Sequence, residues 1–219
     1  MSENIKELKI MIIGSSGAGK TSFVQRWTKG DFSEDYKPTI ISDFGFKIYE
    51  HNKNLFRVQL WDIGGQDKSA SMAKIFARDS HGCIVVTDIS INENPSEIFK
   101  WKEIVSEESS FIDDDKIPFI LIGNKIDLIK TDENKKIIEE KTRNICNNYG
   151  FMNYFLTSAK EGTNVDESMK YLLDYTIDRI EKFCSENDQE FGQKRKDTVK
   201  LNSEKHAVRK MENDCCRIK

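Results

Sequence analysis

The sequence predicts an α/β fold, a mostly parallel six-stranded sheet with helices on both faces, and three observations predict it. Short apolar runs at residues 8–13, 82–88 and 117–123 are typical of strands that are buried on both faces. Segments with helical spacing of apolar residues lie between such runs. Polar motifs, several with glycine, directly follow the strands. Strand and helix therefore alternate along the chain, as they do in a parallel sheet that is covered on both faces.

Length and composition are those of one domain with an appended segment. The chain has 219 residues, of which 37% are hydrophobic and 32% are charged, and this suffices for one core. The net charge of -3 argues against a general affinity for nucleic acid. No apolar run approaches the roughly 20 residues of a membrane span. Five cysteines without metal-ligand spacing fit a reducing compartment.

Residues 14–21, Gly-Ser-Ser-Gly-Ala-Gly-Lys-Thr, match the phosphate-loop pattern G-x-x-x-x-G-K-[ST] between the first strand and a helix at residues 22–27. The glycines let the backbone curl around a phosphate, so that N–H groups and the positive helix end face the anion. Lys20 adds a charge for the outer phosphates, and Thr21 offers a hydroxyl to Mg²⁺. An ordinary glycine-rich turn is the alternative, which the Lys-Thr pair after a strand disfavours.

The polar loop that follows contains two candidate site residues. Phe32 is its lone large apolar residue, and it either plugs the core or stacks on a base. Thr39 follows Pro38, whose ring biases the backbone toward extended geometry. The Thr39 hydroxyl could reach the same Mg²⁺ as Thr21 or simply face solvent.

The next two elements form a predicted hairpin. Residues 44–49 and 56–60 alternate apolar and polar side chains on either side of a polar turn. The second strand ends in an acid, Asp62, which could hold a metal through water. Gly65 leaves backbone free to meet a terminal phosphate, and Gln66 could orient an attacking water. A D-x-x-G segment alone also describes a common turn, but behind a phosphate loop it indicates a nucleotide site.

The remaining elements continue the alternation. They are a polar helix at 68–78, a strand at 82–88, a helix at 95–106, a strand at 117–123, a helix at 134–149, a strand at 154–157 and a last helix at 165–183. Asn-Lys-Ile-Asp at 124–127 and Ser-Ala-Lys at 158–160 directly follow two of the strands. In open α/β sheets ligands bind at the carboxyl ends of strands, which is where these motifs lie.

These motifs have the order and spacing found in the small Ras-like GTPases, so residues 8–183 resemble a phosphate-loop G domain. Within that superfamily the chain resembles the Rab family, through residues 36–40, 60–62 and the pair Cys215-Cys216. Details at 61–63 and 99–102 resemble the Rab subgroup of lysosome-related organelles. The switch segment Trp-Asp-Ile-Gly-Gly-Gln-Asp-Lys is similar instead to that of Arf proteins, because Gly64 replaces the usual Rab alanine.

The resemblance implies that the chain binds GTP or GDP together with Mg²⁺. It assigns nucleotide contacts to Ser15, Ser16, Gly17, Ala18, Gly19, Lys20, Thr21, Ser22, Phe32, Thr39, Gly65, Asn124, Lys125, Asp127, Ser158, Ala159 and Lys160. It assigns the metal to Thr21, Thr39 and, through water, Asp62.

Asp127 is the residue expected to select guanine. Its carboxylate can accept from both the ring N–H and the exocyclic amine, whereas adenine would leave a desolvated charge unpaired. The resemblance assigns Lys125 to the face of the base, Asn124 to bracing the phosphate loop, and the Ala159 N–H to the guanine carbonyl. Ser158 and Lys160 would hold that turn, and Phe32 would cover the base edge-on.

Hydrolysis is assigned to two residues. Lys20, together with Mg²⁺, would neutralise charge on the β- and γ-phosphates, and Gln66 would orient the attacking water. No arginine is positioned by a motif, so we expect slow turnover that a partner's arginine accelerates by about 10³- to 10⁵-fold. One alternative is a GTP-dependent effector scaffold with little hydrolysis, which Gly64 permits. Another is an ATP-using phosphate-loop kinase, which residues 124–127 disfavour.

The resemblance also implies partners and a location. The partners are an exchange factor, a GTPase-activating protein, effectors, and prenyl-delivery and membrane-extraction chaperones, and the monomeric G domain would cycle between cytosol and the cytoplasmic face of intracellular membranes. Phe44, Trp61 and Phe76 match the three aromatic positions through which Rab proteins meet effectors. Residues 1–183 are the predicted G domain, and residues 184–219 a disordered tail. Cys215 and Cys216 would carry two geranylgeranyl groups or remain an unmodified pair.

Overall fold

A computed structural model describes residues 6–34, 38–39, 41–91, 93–109 and 116–197, with the backbone alone for 67–70 and 187–197. Strands and helices alternate within this part of the chain. The elements are β1 (Lys6–Ile13), α1 (Lys20–Lys29), β2 (Ser42–His51), β3 (Asn54–Ile63), α2 (Asp67–Ala77), β4 (Gly82–Asp88), α3 (Pro95–Ser106), β5 (Phe119–Asn124), α4 (Asp132–Asn148), β6 (Asn153–Thr157) and α5 (Val165–Asp197).

The six strands form one sheet in the order β2-β3-β1-β4-β5-β6. The hairpin pair β2 and β3 is antiparallel, and the other neighbouring pairs are parallel. This confirms the predicted fold class. The sheet places β1 between β3 and β4, so the segments that leave the carboxyl ends of these strands meet at one edge.

The two faces of the sheet are covered by different helices. Alternate residues of β1 point to opposite faces, as the pleat of a strand requires. Leu8, Ile10 and Ile12 join one buried cluster, whereas Met11 and Ile13 join another. The first cluster contains side chains of α1 and α5, among them Phe23, Trp27, Met169, Leu172 and Ile177. The second contains side chains of α2, α3 and α4, among them Ala73, Ile98, Trp101, Val105 and Ile145.

The end of the last helix differs from the prediction. The last helix was expected to end at Phe183, but α5 continues to Asp197. Cys184 still packs against the first core cluster, and Lys182 lies 3.9 Å from Glu186 one turn later. These contacts favour helix where polar composition alone suggested a disordered tail. The domain boundary at residue 183 stays a prediction.

Some predicted features lie outside the described residues. They are Tyr36, Lys37 and Ile40 of the Rab-like loop, and the pair Cys215 and Cys216. Within the part of the chain that the structure describes, no helix is both long and apolar enough to cross a membrane.

Candidate functional site

The loop at residues 14–19 connects β1 to α1 and opens toward the helix start. Among the described residues no side chain caps α1, so its first N–H groups are available to an anion. Gly19 has a φ of 90°, and a Cβ there would lie 2.3 Å from Asn124 Nδ2. Only glycine therefore allows this loop to pass so close to β5. Ser16 and Gly17 are exposed at the loop's outer side, Ala18 is buried beneath it, and Ser22 lies in the first turn of α1.

Lys20 is buried beneath this loop. Its Nζ donates to the carbonyl oxygens of Gly14 at 2.8 Å and Ser15 at 2.9 Å. Burial lowers the pKa of Lys20 to about 8, although the charges of Asp62 and Glu93 oppose the shift. A phosphate placed here would stabilise the ammonium form, so the lysine is positioned for an anion that arrives from outside the protein.

Thr21, Thr39 and Asp62 meet beside Lys20, although they come from α1, a loop and β3. Thr21 Oγ1 donates to Asp62 Oδ2 and lies 2.8 Å from Thr39 Oγ1. Asp62 Oδ1 is buried without a hydrogen-bond partner among the described residues. Burial raises the pKa of Asp62 to about 6. Two hydroxyls and a carboxylate, one oxygen of which lacks a partner, are a donor set that suits Mg²⁺.

The segment after β3 lies against the phosphate loop. The amide of Gly64 donates to the Ile41 carbonyl at 2.9 Å. A Cβ on Gly65 would lie 2.3 Å from the Ser16 amide nitrogen and 2.7 Å from Lys20 Nζ. Gln66 is exposed and directly precedes α2. Gly65 therefore lies against the phosphate loop, and Gln66 follows it at an exposed position.

Gly65→Ala is expected to weaken GTP binding relative to GDP. The new methyl cannot occupy the place that the Ser16 amide limits, so the segment must withdraw from the loop. The Gly65 N–H would then lose its hydrogen bond to the terminal phosphate, which GTP has and GDP lacks. A hydrogen bond to a charged group contributes about 1.5–3 kcal/mol, so the affinity for GTP should fall about 10- to 100-fold relative to GDP. Competition of GTP and GDP against a fluorescent nucleotide measures it, and thermal unfolding of the GDP form checks the fold. An unchanged GTP to GDP ratio would contradict the prediction.

Asn124 connects the two halves of the site. Its Nδ2 donates to the Ala18 carbonyl at 3.0 Å, and its Oδ1 accepts from the Ala159 amide at 3.1 Å and Thr157 Oγ1 at 3.2 Å. The side chain thus joins the phosphate loop to the turn after β6, as the resemblance implied. The Ala159 N–H, assigned to the guanine carbonyl, is already used by Asn124 in this structure.

Asp127 is held at the outer side of the same region. A short 3₁₀ helix, Ile126–Leu128, carries it, and its Oδ1 accepts from Ser158 Oγ at 2.6 Å. Lys125 Nζ lies 2.6 Å from Asp88 Oδ2 at the end of β4. Lys160 Nζ reaches Glu34 at 2.8 Å on the surface. The motifs after β5 and β6 therefore form one polar corner.

Phe32 packs against the core cluster that contains α1 and α5. The sequence allowed Phe32 either to plug the core or to stack on a base, and the structure shows the contact with the core. Its role as an aromatic cover for a base stays a prediction.

Phe44, Trp61 and Phe76 form one aromatic group on β2, β3 and α2. The ring centroids of Phe44 and Trp61 are 5.5 Å apart, and those of Trp61 and Phe76 are 5.0 Å apart. Phe44 is 46% exposed, so the group presents apolar surface to solvent. The three predicted effector positions are therefore contiguous.

Sequence reasoning missed two residues that shape the site. Glu93, between β4 and α3, accepts hydrogen bonds from Ser15 Oγ and Thr87 Oγ1. Arg26 of α1 donates from Nε to the Ala159 carbonyl at 2.7 Å. Glu93 follows the carboxyl end of a strand, a position that could have drawn attention to it. No local pattern marks Arg26, because its partner lies far along the chain.

Comparison with known proteins identifies relatives of this chain. The model of the Ras family matches residues 9–178. The chain is 37% identical over 172 residues to the "Ras-related protein Rab7A" of Mesembryanthemum crystallinum, covering 78% of this chain and 83% of the relative. It is 31% identical over 200 residues to the "Ras-related protein Rab-32" of Sus scrofa, covering 90% of this chain and 87% of the relative.

Proposed function

This chain belongs to the Ras family, as a Rab small GTPase that hydrolyses GTP and acts in vesicle trafficking, and from this premise we propose how its residues serve the reaction. The observation that carries the proposal is the convergence of Lys20, the Thr21–Thr39–Asp62 group and the polar corner of Asp127 at one edge of the sheet. The β- and γ-phosphates bind along the loop at Lys20, and the guanine base binds at Asp127.

Thr21 and Thr39 would provide hydroxyl ligands to Mg²⁺, and Asp62 would contact it through water. When bound, the ion neutralises charge on the phosphate oxygens. The orphaned Oδ1 of Asp62 supports this assignment, because a buried carboxylate oxygen without a partner is costly.

The catalytic residues are Lys20 and Gln66. Lys20 stabilises charge on the phosphoryl oxygens, and Gln66 orients water for in-line attack. The N–H groups of Thr39 and Gly65 bond the γ-phosphate, so hydrolysis releases the segments on either side. The contact between Gly65 and the phosphate loop supports this coupling.

An effector scaffold with little intrinsic hydrolysis is the second candidate. Gly64 favours it, because a second glycine beside Gly65 makes the backbone angles of the segment more permissive. Single-turnover hydrolysis by the Mg²⁺-loaded chain, with and without an activating protein, separates the two. Hydrolysis that the activating protein accelerates supports the switch, and GTP binding without it supports the scaffold. No binding of guanine nucleotide would refute both.

Membrane attachment is proposed through geranylgeranyl groups on Cys215 and Cys216. Two chains give stable anchoring where one gives marginal binding. The chain would then cycle between cytosol and the cytoplasmic face of intracellular membranes, served by an exchange factor, an activating protein and prenyl-handling chaperones. Mass spectrometry of the native protein from membranes tests this, and unmodified Cys215 and Cys216 peptides would refute it.

The aromatic group of Phe44, Trp61 and Phe76 is proposed as the effector surface. A separate proposal is that the chain belongs to the Rab subgroup of lysosome-related organelles, which residues 61–63 and 99–102 support. Exposed aromatic side chains are common anchors of protein interfaces. The departures from typical Rab proteins begin beside this group, at Gly64, so its effectors are expected to differ from theirs.

Glu93→Ala is expected to accelerate nucleotide release. Glu93 ties Ser15 of the phosphate loop to Thr87 of β4, and without it the loop is less well ordered for its ligand. A hydrogen bond to a charged group contributes about 1.5–3 kcal/mol, so loss of the bond to Ser15 should raise the dissociation rate of a fluorescent GDP about 10- to 100-fold. Glu97→Ala on α3 removes the same charge from an exposed position and is the matched control. Equal release rates for the two variants would contradict the prediction.

A further inference from the structure

A second polar cluster lies away from the nucleotide site, where the hairpin of β2 and β3 meets α5. His51 at the end of β2 is 11% exposed and faces two acids of the helix. Its Nδ1 lies 2.8 Å from Asp174 Oδ1, and its Nε2 lies 2.8 Å from Asp178 Oδ1. Glu181 stands one turn further along the same face of α5.

The hydrogen bonds of the ring indicate which nitrogen holds a lone pair. Asp174 is fixed by Tyr49, whose hydroxyl donates to it at 2.6 Å, so Asp174 is placed to accept from Nδ1–H. Asn52 Nδ2 lies 3.0 Å from Nε2 and is a donor. With Nδ1–H donated to Asp174, Nε2 faces the Asp178 carboxylate at 2.8 Å, so a proton on Nε2 or a metal ion would join the two groups.

We propose that His51 Nε2, Asp178 and Glu181 form a binding site for a divalent transition-metal ion of the zinc class. One ligand atom of each residue lies within 4.8 Å of the others. Zinc bonds to nitrogen and oxygen of about 2.0–2.2 Å place tetrahedral ligands about 3.3 Å apart, so a small movement of the acids closes the site. Asp178 is 64% exposed and free to make it.

The surroundings of the site resemble the usual support of a metal-bound histidine. Asp174 accepts from the ring nitrogen that does not bind metal, which orients the imidazole and strengthens it as a ligand. Asp174 is therefore a positioning residue. Glu181 accepts from Asn54 Nδ2 at 3.2 Å, so it too is held toward the hairpin. The ion would join the hairpin of β2 and β3 to α5.

A proton competes with the metal for the same place. Burial lowers the pKa of His51, but hydrogen bonds to Asp178 and Asp174 outweigh it and raise the pKa above its ordinary value. The charged and titratable groups that face the ring or its acids are Lys6 of β1, Tyr49 of β2, and Lys170, Asp174, Asp178 and Glu181 of α5. Metal binding requires neutral imidazole, so zinc affinity should rise with pH.

The test is titration of the full-length, GDP-loaded chain with ZnCl₂, followed by calorimetry and thermal unfolding. Cysteine thiolates also bind zinc, so Co²⁺ serves as a second probe, because thiolate ligands add a strong near-ultraviolet absorption that histidine and carboxylate ligands lack. Asp178→Asn should weaken zinc binding at this site at least tenfold, and Asp174→Asn about 10- to 100-fold. Glu167→Gln removes an exposed charge from the first turn of α5 and should leave it unchanged.

The pH dependence separates the metal from a proton. If zinc binds here, its stabilisation grows as pH rises through the pKa of His51 and is lost in Asp178→Asn. If a proton alone joins the groups, the raised pKa of His51 gives stability that is present at low pH and is lost as pH rises through it. Zinc affinity equal in Asp178→Asn and Glu167→Gln would overturn the proposal. Because nucleotide exchange is measured separately, this outcome would leave the GTPase assignment intact.

Discussion

Asp127→Asn is expected to lose the preference for GTP and to bind xanthosine triphosphate in its place. The carboxylate accepts from two donors of guanine, whereas the amide presents a donor to the exocyclic amine. Xanthine carries a carbonyl there, which the amide can bond. Sites that bury polar groups for a cognate hydrogen bond reject analogues by about 10⁴-fold, so the ratio of the two affinities should change by that order.

The structure indicates that this substitution preserves the contact between the turns after β5 and β6. Asp127 Oδ1 accepts from Ser158 Oγ, and the side-chain oxygen of asparagine can accept the same bond. Competition between the two triphosphates for a fluorescent nucleotide gives the ratio. Asp132→Asn, an exposed residue at the start of α4 with the same charge change, is the control. A ratio equal to that of the parent chain would remove Asp127 from base selection.

Gln66→Leu is expected to lower GTP turnover by about 10²-fold or more while nucleotide affinity is kept, because leucine cannot orient the attacking water. Gln66 precedes α2 in extended geometry, with φ -88° and ψ 155°, and its side chain makes no capping hydrogen bond to the helix. The substitution therefore removes no bond that begins α2, and leucine is similar in size.

Single-turnover phosphate release, with an activating protein present, measures this effect. The dissociation constant for GTP is the internal control, since Lys20 and the Thr21–Thr39–Asp62 group are untouched. Equal release by the variant and a parent that hydrolyses would exclude Gln66 from the mechanism. If the unsubstituted chain hydrolyses GTP as slowly as the variant does, the result would instead favour the effector scaffold.

Candidate site residues that lie within a recognisable motif could be named from the sequence alone. The glycine loop, the Asp62 strand end and the two base motifs were each identified from a short pattern, because backbone geometry and phosphate chemistry restrict what can stand there. Glu93 and Arg26 escaped this reasoning. Their partners, Ser15 and Ala159, are distant along the chain, and neither contact has a local signature.

Phe32 shows a second limit of sequence reasoning. Its pattern allowed either a core contact or a base contact, and only the tertiary structure shows that it packs against the α1 and α5 cluster. The end of α5 shows a third limit of sequence reasoning. Polar composition suggested disorder after residue 183, yet the helix continues while Cys184 contacts the core and Lys182 pairs with Glu186.

The sequence by itself determined the fold class, the order of the elements and the chemistry at the strand ends, because periodicity and motif spacing are local properties of the chain. Tertiary structure alone decided which distant groups meet. It placed Thr39 beside Thr21, packed Trp61 between Phe44 and Phe76, and set His51 against α5. Such contacts depend on how the sheet orders its strands and on how the helices pack over it, and neither is written in any single segment.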